Sequence, residues 1–250
     1  MLKLAKLFLL LILLSPFEAK GVQDSTLIRE LSQMFQSSMT YIFQNQPLIN
    51  QRAGDKSSLF GRRFIADVKA TYQHQFGQPF AEQEHWLKLV MVRVMIEVME
   101  DNRTLIFDED IGYKGLIPAI FAFQLSAKLA TKGQGLNIKF TSTPNMIRNQ
   151  LNLPDAWEIV VMEKIRVLGL KDYIDPQAVF EGKPATRLFT PLKLKRLCLN
   201  CHGTPKQNPL NAGKARAQWT NIDVTGFVME NWQYGDFGGG VSVSIYEQDE

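Results

Sequence analysis

The sequence predicts an α+β fold, with a helical N-terminal half and short strands later in the chain. Two observations predict it. Apolar residues recur at helical spacing from Gln23 to Thr131. After Asp172 the texture shifts to short, partly alternating segments, and helices followed by strands read as α+β. At 250 residues, 45% hydrophobic and 21% charged, the chain can bury a full core without cross-links. A net charge of +3 and the lack of a basic stripe with interleaved aromatics exclude a nucleic-acid partner.

Lys3 and Lys6 precede an unbroken apolar run from Leu7 to Leu14, and Pro16 is expected to break it. This reads as a signal peptide over residues 1–19, followed by one domain over 20–250. Cleavage after Ala19 would put Phe17 where a small side chain is usual, so an uncleaved anchor stays open. The run is short for a bilayer span, and a membrane is a partner only if the segment is retained. No cysteine follows closely, which excludes a lipid-modified start. The expected location is periplasmic, an oxidising compartment.

Gln23 to Phe43 places Leu27, Leu31, Met34, Phe35, Met39, Ile42 and Phe43 at helical spacing, with Ser25 as its cap and a turn at Asn45–Pro47. Ser58 to His74 groups Phe60, Phe64, Ile65, Val68 and Tyr72 on one side of a second helix. Trp86 to Met99 carries few charges and reads as a buried helix. Leu116 to Thr131 is a fourth, with Pro118 in its first turn. Leu136 to Thr141 alternates and reads as a strand, and Asp155 to Val167 as a helix after Pro154. Val179 and Phe180, Arg187 to Thr190, and Val241 to Ile245 are strand candidates. Gly238 to Gly240 marks a bulge or a close backbone approach, not a phosphate loop, because no helix follows.

Two segments echo each other. AGDKSSLFGRRFIADVKATYQHQFGQPF and IGYKGLIPAIFAFQLSAKLATKGQGLNI share a Gly-x-Lys start, an apolar helix and a Gly-Gln near the end. A duplicated unit would look like this, and so would two loops that each lead into an amphipathic helix; the second reading is preferred.

The chemistry concentrates in Cys198-Leu-Asn-Cys201-His202, which holds the only two cysteines. Cys-x-x-Cys-His is the c-type haem attachment pattern. Two intervening residues let both sulfurs reach the two vinyl groups on one edge of a porphyrin, and the next imidazole then lies under the iron. Random placement of two Cys and three His would give the pattern in about 2 of 10,000 such chains. A thioredoxin-like dithiol is expected early in a βαβ unit, whereas this pair sits late, with Pro205 and Pro209 close behind. A structural zinc site needs four ligands, and only His74 and His85 could add to the motif.

Three segments resemble a known family. Arg148-Asn149, Asn152, Pro154-Asp155 and Trp157-Glu158 are one, with Gln150 where a proline is usual. Cys198 to Pro205 is the second; Gly235-Asp236, Gly239 and Ser242-Val243 are the third. Together, with NQPLIN and GDK earlier on, they resemble the PAS-like c-type haem-binding domain family of exported proteins, largely of unknown function. The resemblance implies about five antiparallel strands flanked by helices, with one covalently attached haem c against the sheet. It implies iron ligation by His202 and by a group from the first helix. Some members use a distant cysteine there, and this chain has no third one. Met39 is the first choice, followed by Met34, Met146, His74 and His85, each of which also has an ordinary core or surface role. Arg148 and Asn149 are expected at a propionate or the haem edge; alternatively Asn149 turns the chain and Arg148 is solvated. Trp157 packs on the macrocycle or is simple core.

The expected function is that of an exported mono-haem c-type cytochrome, in electron transfer or in redox or gas sensing. Its partners would be a redox or signalling protein, or a small diatomic gas. The rival readings are a haem peroxidase-like enzyme, a dithiol oxidoreductase and a disulfide-stabilised domain.

Overall fold

The computed structural model describes residues 16–132 and 135–247. The charged and apolar parts of the expected signal segment, through Ser15, lie outside the described residues. The first described element is α1, Pro16–Gln44, so Pro16 stands at the start of a helix, where its missing N–H costs nothing. Ser25 lies within α1 instead of capping it. No helix among the described residues is long and apolar enough to cross a membrane.

The apolar stripe of α1 does what its spacing implies: Leu27, Ile28, Leu31, Met34, Phe35, Met39 and Ile42 are buried. They pack with α3 (Gly61–Phe76), α4 (Trp86–Asp101) and α6 (Pro118–Thr131) in one core that also takes Ile138, Leu188, Val241 and Val243 from the sheet. Pro47 does end α1, but it also opens a short helix, α2 (Gln46–Asn50). Another short helix, α5 (Arg103–Phe107), carried no periodicity to announce it. Gly77 closes α3 in the left-handed conformation. The His85 ring accepts the Leu87 N–H at 3.1 Å and caps α4.

Among the described residues the sheet has four antiparallel strands in the order β1-β4-β3-β2: β1 Leu136–Thr141, β2 Tyr173–Phe180, β3 Lys183–Lys193 and β4 Phe237–Tyr246. The expected count was about five. Between β3 and β4 the chain makes short turns around Pro205 and Pro209, with one isolated bridge, Ile222 to Val228, instead of a strand. β2 is longer than its sequence signal because a bulge between Asp175 and Ala178 absorbs Pro176 on an edge strand. Glu181 and Gly182, both at positive φ, turn β2 into β3 as a two-residue hairpin. Helix α7 (Ala156–Leu168) starts at Asp155 with a reciprocal Asp155–Glu158 capping box.

The glycine run at the head of β4 is a close approach, as predicted. A side chain at Gly240 would meet the Phe189 ring at 2.4 Å, and one at Gly239 the Thr141 carbonyl at 2.2 Å. These contacts press β4 between β1 and β3 where the chain returns from residues 195–234. That excursion closes at a neck: Leu194 N–H donates to Asp236 and Gly235 N–H donates to Leu194, each at 2.9 Å.

The Cys-His loop as the candidate functional site

The excursion is organised by polar side chains, because little apolar surface is available there. Buried Asn208 donates to the Ile222 carbonyl, and buried Asn211 donates to Pro205 and Thr220 while accepting the Thr220 N–H. Asp223 accepts from the Thr225 and Phe227 N–H groups and the Thr225 hydroxyl, closing a tight turn. Each is a local side chain-to-backbone bond that holds a loop in place of a sheet ladder.

Within this frame Cys198 and Cys201 sit on one helical turn, α8 (Leu199–His202), where His202 N–H donates to the Cys198 carbonyl at 2.9 Å. Both thiols are free and half-buried. Gly203 follows because nothing larger fits: a side chain there would lie 2.5 Å from the Leu199 carbonyl. Asn231, at φ 61, then lets the returning chain donate N–H groups from Asn231 to Gly203 and from Trp232 to His202. The Trp232 ring stacks on the His202 imidazole at 4.6 Å and 8° and fixes its plane.

Arg148 crosses from the β1–α7 connection and locks the loop. Its guanidinium forms a two-pronged pair with Glu230 at 2.7 and 2.9 Å, meets Asp223 at 2.7 Å and donates to the Cys201 carbonyl at 3.1 Å. Glu230 in turn holds His202 Nδ1 at 3.0 Å. Burial alone would raise the Glu230 carboxyl, but the Arg148 bonds and the His202 ring outweigh it and hold it below its ordinary value. Asp223 is brought to about 2 in the same way, by Arg148, Thr225 and the Phe227 N–H against its burial. An ionised carboxylate only accepts, so His202 Nδ1 carries the proton and Nε2 presents its lone pair. Burial, then Arg148, lowers the His202 pKa and keeps the ring neutral. Burial and the Asp223 charge push the Cys201 thiol up to about 11, which is opposite to the activated thiolate a dithiol oxidoreductase needs.

Cys198, Cys201 and His202 are therefore the residues that could hold a porphyrin: two free thiols one turn apart and an imidazole with a free nitrogen of fixed tautomer. The structure brings Arg148 to them as the sequence suggested, but its charge is spent on Asp223 and Glu230. Asn149 turns the chain, accepting the Leu151 N–H at 3.1 Å. Trp157 is engaged elsewhere, with the buried Arg187 guanidinium 4.1 Å over its ring and its N–H on Asp175. Met39 lies in the main apolar core; Met146, two residues before Arg148, accepts from the Ser142 hydroxyl at 3.5 Å. His74 is exposed and His85 caps α4. Sequence reasoning missed Glu230, Asp223, Trp232 and Tyr113. Tyr113 has a buried hydroxyl without a hydrogen-bond partner among the described residues, and its pKa is raised to about 12 by burial, then by Cys201 and Asp223. Only the density of acids and aromatics after the motif hinted at the first three.

A family model described as Tll0287-like matches residues 28–245. The chain belongs to the Tll0287-like family. The match spans all three segments that carried the resemblance in the sequence. Among solved structures, that of the cyanobacterial haem protein Tll0287 is similar to this Tll0287-like chain at 16% identity, over 54% of this chain and 74% of the other, with a TM-score of 0.38. No curated protein matches.

Proposed function

We propose that this Tll0287-like protein is an exported mono-haem c-type protein that carries one electron. A haem protein bears the family's name, and the observation that carries the reading is local: two free thiols on one turn, beside a neutral imidazole whose Nδ1 is tied to a carboxylate. Cys198 and Cys201 would hold the haem by thioether bonds, each S–H adding across one vinyl double bond so that a carbon–sulfur bond would replace the π bond and the thiol proton would go to the other vinyl carbon. When bound, the haem supplies a reversible one-electron couple.

The chain's residues do the rest. His202 would ligate the iron through Nε2, and Trp232 sets the imidazole plane. Glu230 draws on the Nδ1 proton, which makes the imidazole a stronger donor and favours the oxidised metal. Arg148 holds Glu230 ionised and pins the Cys201 carbonyl. Met39 is the proposed sixth ligand, and a periplasmic location follows from the covalent attachment. A PAS-like arrangement is proposed for the four-stranded sheet and its helices. Protein made with the haem-attachment machinery should give a c-type pyridine haemochrome spectrum and an intact mass raised by one haem. The bare polypeptide mass would overturn the reading. Reduction and reoxidation without spectral change on adding CO supports electron transfer; a CO-shifted spectrum favours gas sensing.

A further inference from the structure

Two lysines are buried without a carboxylate. Lys56 is 1% exposed and Lys114 is 3% exposed. Lys56 Nζ donates to the carbonyls of Gln51 and Ile106, and Lys114 Nζ to those of Asp108 and Ile111. Neither forms an ion pair among the described residues, although the protein's other deeply buried cations, Lys88 and Arg187, both do. An ammonium has three N–H donors, so each lysine keeps one beyond its two carbonyls. Burying a cation is costly, and burying two together more so, unless an anion joins them.

The two lysines are the matched positions of the internal echo. Gly54-Asp55-Lys56 leads into α3 and Gly112-Tyr113-Lys114 leads into α6. Asn50 accepts the Lys114 N–H at 2.8 Å and stitches the two loops together. The Arg52 guanidinium lies against Gly112, so that a side chain there would meet it at 3.4 Å. Lys56 is held below its ordinary pKa by burial first and then by the charge of Lys114, with Glu109 as the opposing acid. Between the two echoed residues of the second loop stands Tyr113, whose buried hydroxyl has no hydrogen-bond partner among the described residues and feels Cys201 and Asp223 of the Cys-His loop. The place therefore offers two ammonium groups and a phenol, with Glu109 acting on Lys56 but no ion pair to either lysine among the described residues, and Tyr113 links it to Cys201.

We propose that Lys56 and Lys114 form a carboxylate site, filled by the propionates of the haem held at Cys198 and Cys201. This rests on the haem reading above. It replaces Arg148, already neutralised by Asp223 and Glu230, as the propionate partner. The site takes carboxylates as a class; the two sources are the haem itself and a free organic acid.

The test compares Lys56→Met and Lys114→Met in haem-loaded protein and in the haem-free full chain carrying Cys198→Ala and Cys201→Ala. Haem content is read first by the haemochrome spectrum: its absence from loaded protein sinks the haem reading, independently of this site. With haem present, each methionine should lower the Tm of loaded protein and raise that of the haem-free chain, by about 2–4 °C. A loss of similar size in both backgrounds would mean that the lysines only tie carbonyls, and would overturn the proposal. Should the haem-free chain not fold, the midpoint potential of loaded protein decides. Lys→Met should favour the oxidised form about tenfold, about 59 mV for one electron, and Lys→Arg should restore it. No shift overturns the proposal. Acetate and succinate separate the sources: stabilising only the haem-free chain, and not its Lys114→Met variant, supports the propionates. Stabilising loaded protein equally would overturn the propionate assignment and leave the site to a free acid.

Discussion

The helical layer with its sheet and the excursion over residues 195–234 are held together by opposite means. The first buries Phe35, Phe64, Met95 and Phe121 completely and carries surface ion pairs such as Arg103–Glu100 and Lys132–Glu97. The excursion and its neck bury Leu194, Leu199 and Met229 and otherwise rely on Asn208, Asn211 and Asp223. Its acids Asp223 and Glu230 turn inward to Arg148, while Lys195, Arg196, Lys206, Lys214 and Arg216 are exposed and form no ion pair among the described residues. Leu210, Phe227 and Val228 remain exposed as well. A segment built on polar bonds is ordered only as far as its network is complete, whereas an apolar core tolerates a lost contact. The attachment turn thus sits in the part of the molecule most sensitive to a single charge.

The largest effect that would break this contrast is expected at Arg148. Arg148→Met strands Asp223 and Glu230 and should cost about 3–5 kcal/mol. The loss should fall on the excursion, seen as proteolysis within residues 195–234 and a fall in haem yield while hydrogen exchange in α1 and α3 stays slow. Uniform loss of protection would show that the two regions are one cooperative unit.

Acid should act in the same place. The Asp223 pKa is depressed to about 2 in the folded protein, so its contribution, about 2 kcal/mol, is present above the ordinary carboxylate pKa. It should be lost as pH falls from about 4 toward 2. Asp223→Asn should flatten the stability profile across that window in thermal melts. A third change sharpens the comparison chemically without unfolding anything. Glu230→Gln should keep the haem and its attachment but favour the reduced iron about tenfold, about 59 mV by spectroelectrochemistry. The smallest expected change is in the core: Met39→Leu should cost under about 1.5 kcal/mol, while the visible spectrum of the reduced protein reports whether the iron has lost a thioether ligand.

Much of the fold was legible because its signals are local. The stripe from Leu27 to Ile42, the alternation of β1 and the glycines before β4 each depend on neighbours within a few residues. β2 was cut short because Asp175-Pro176 looks like a terminator until a bulge on an edge strand accommodates it. The fifth strand was an inference from resemblance, and the polar turns after Cys201 replace it. At the site, Arg148 was found through its segment but its protein partners were not, since Asp223 and Glu230 lie 75 and 82 residues away in the chain.

The sequence by itself determined the Cys-His turn, since one helical turn sets the spacing of Cys198, Cys201 and His202 whatever surrounds it. Only the tertiary structure decided what acts on that turn: the carboxylate on His202 Nδ1, the ring of Trp232 and the clamp of Arg148. Those are meetings between distant segments, and burial and charge select among them only once the chain is folded.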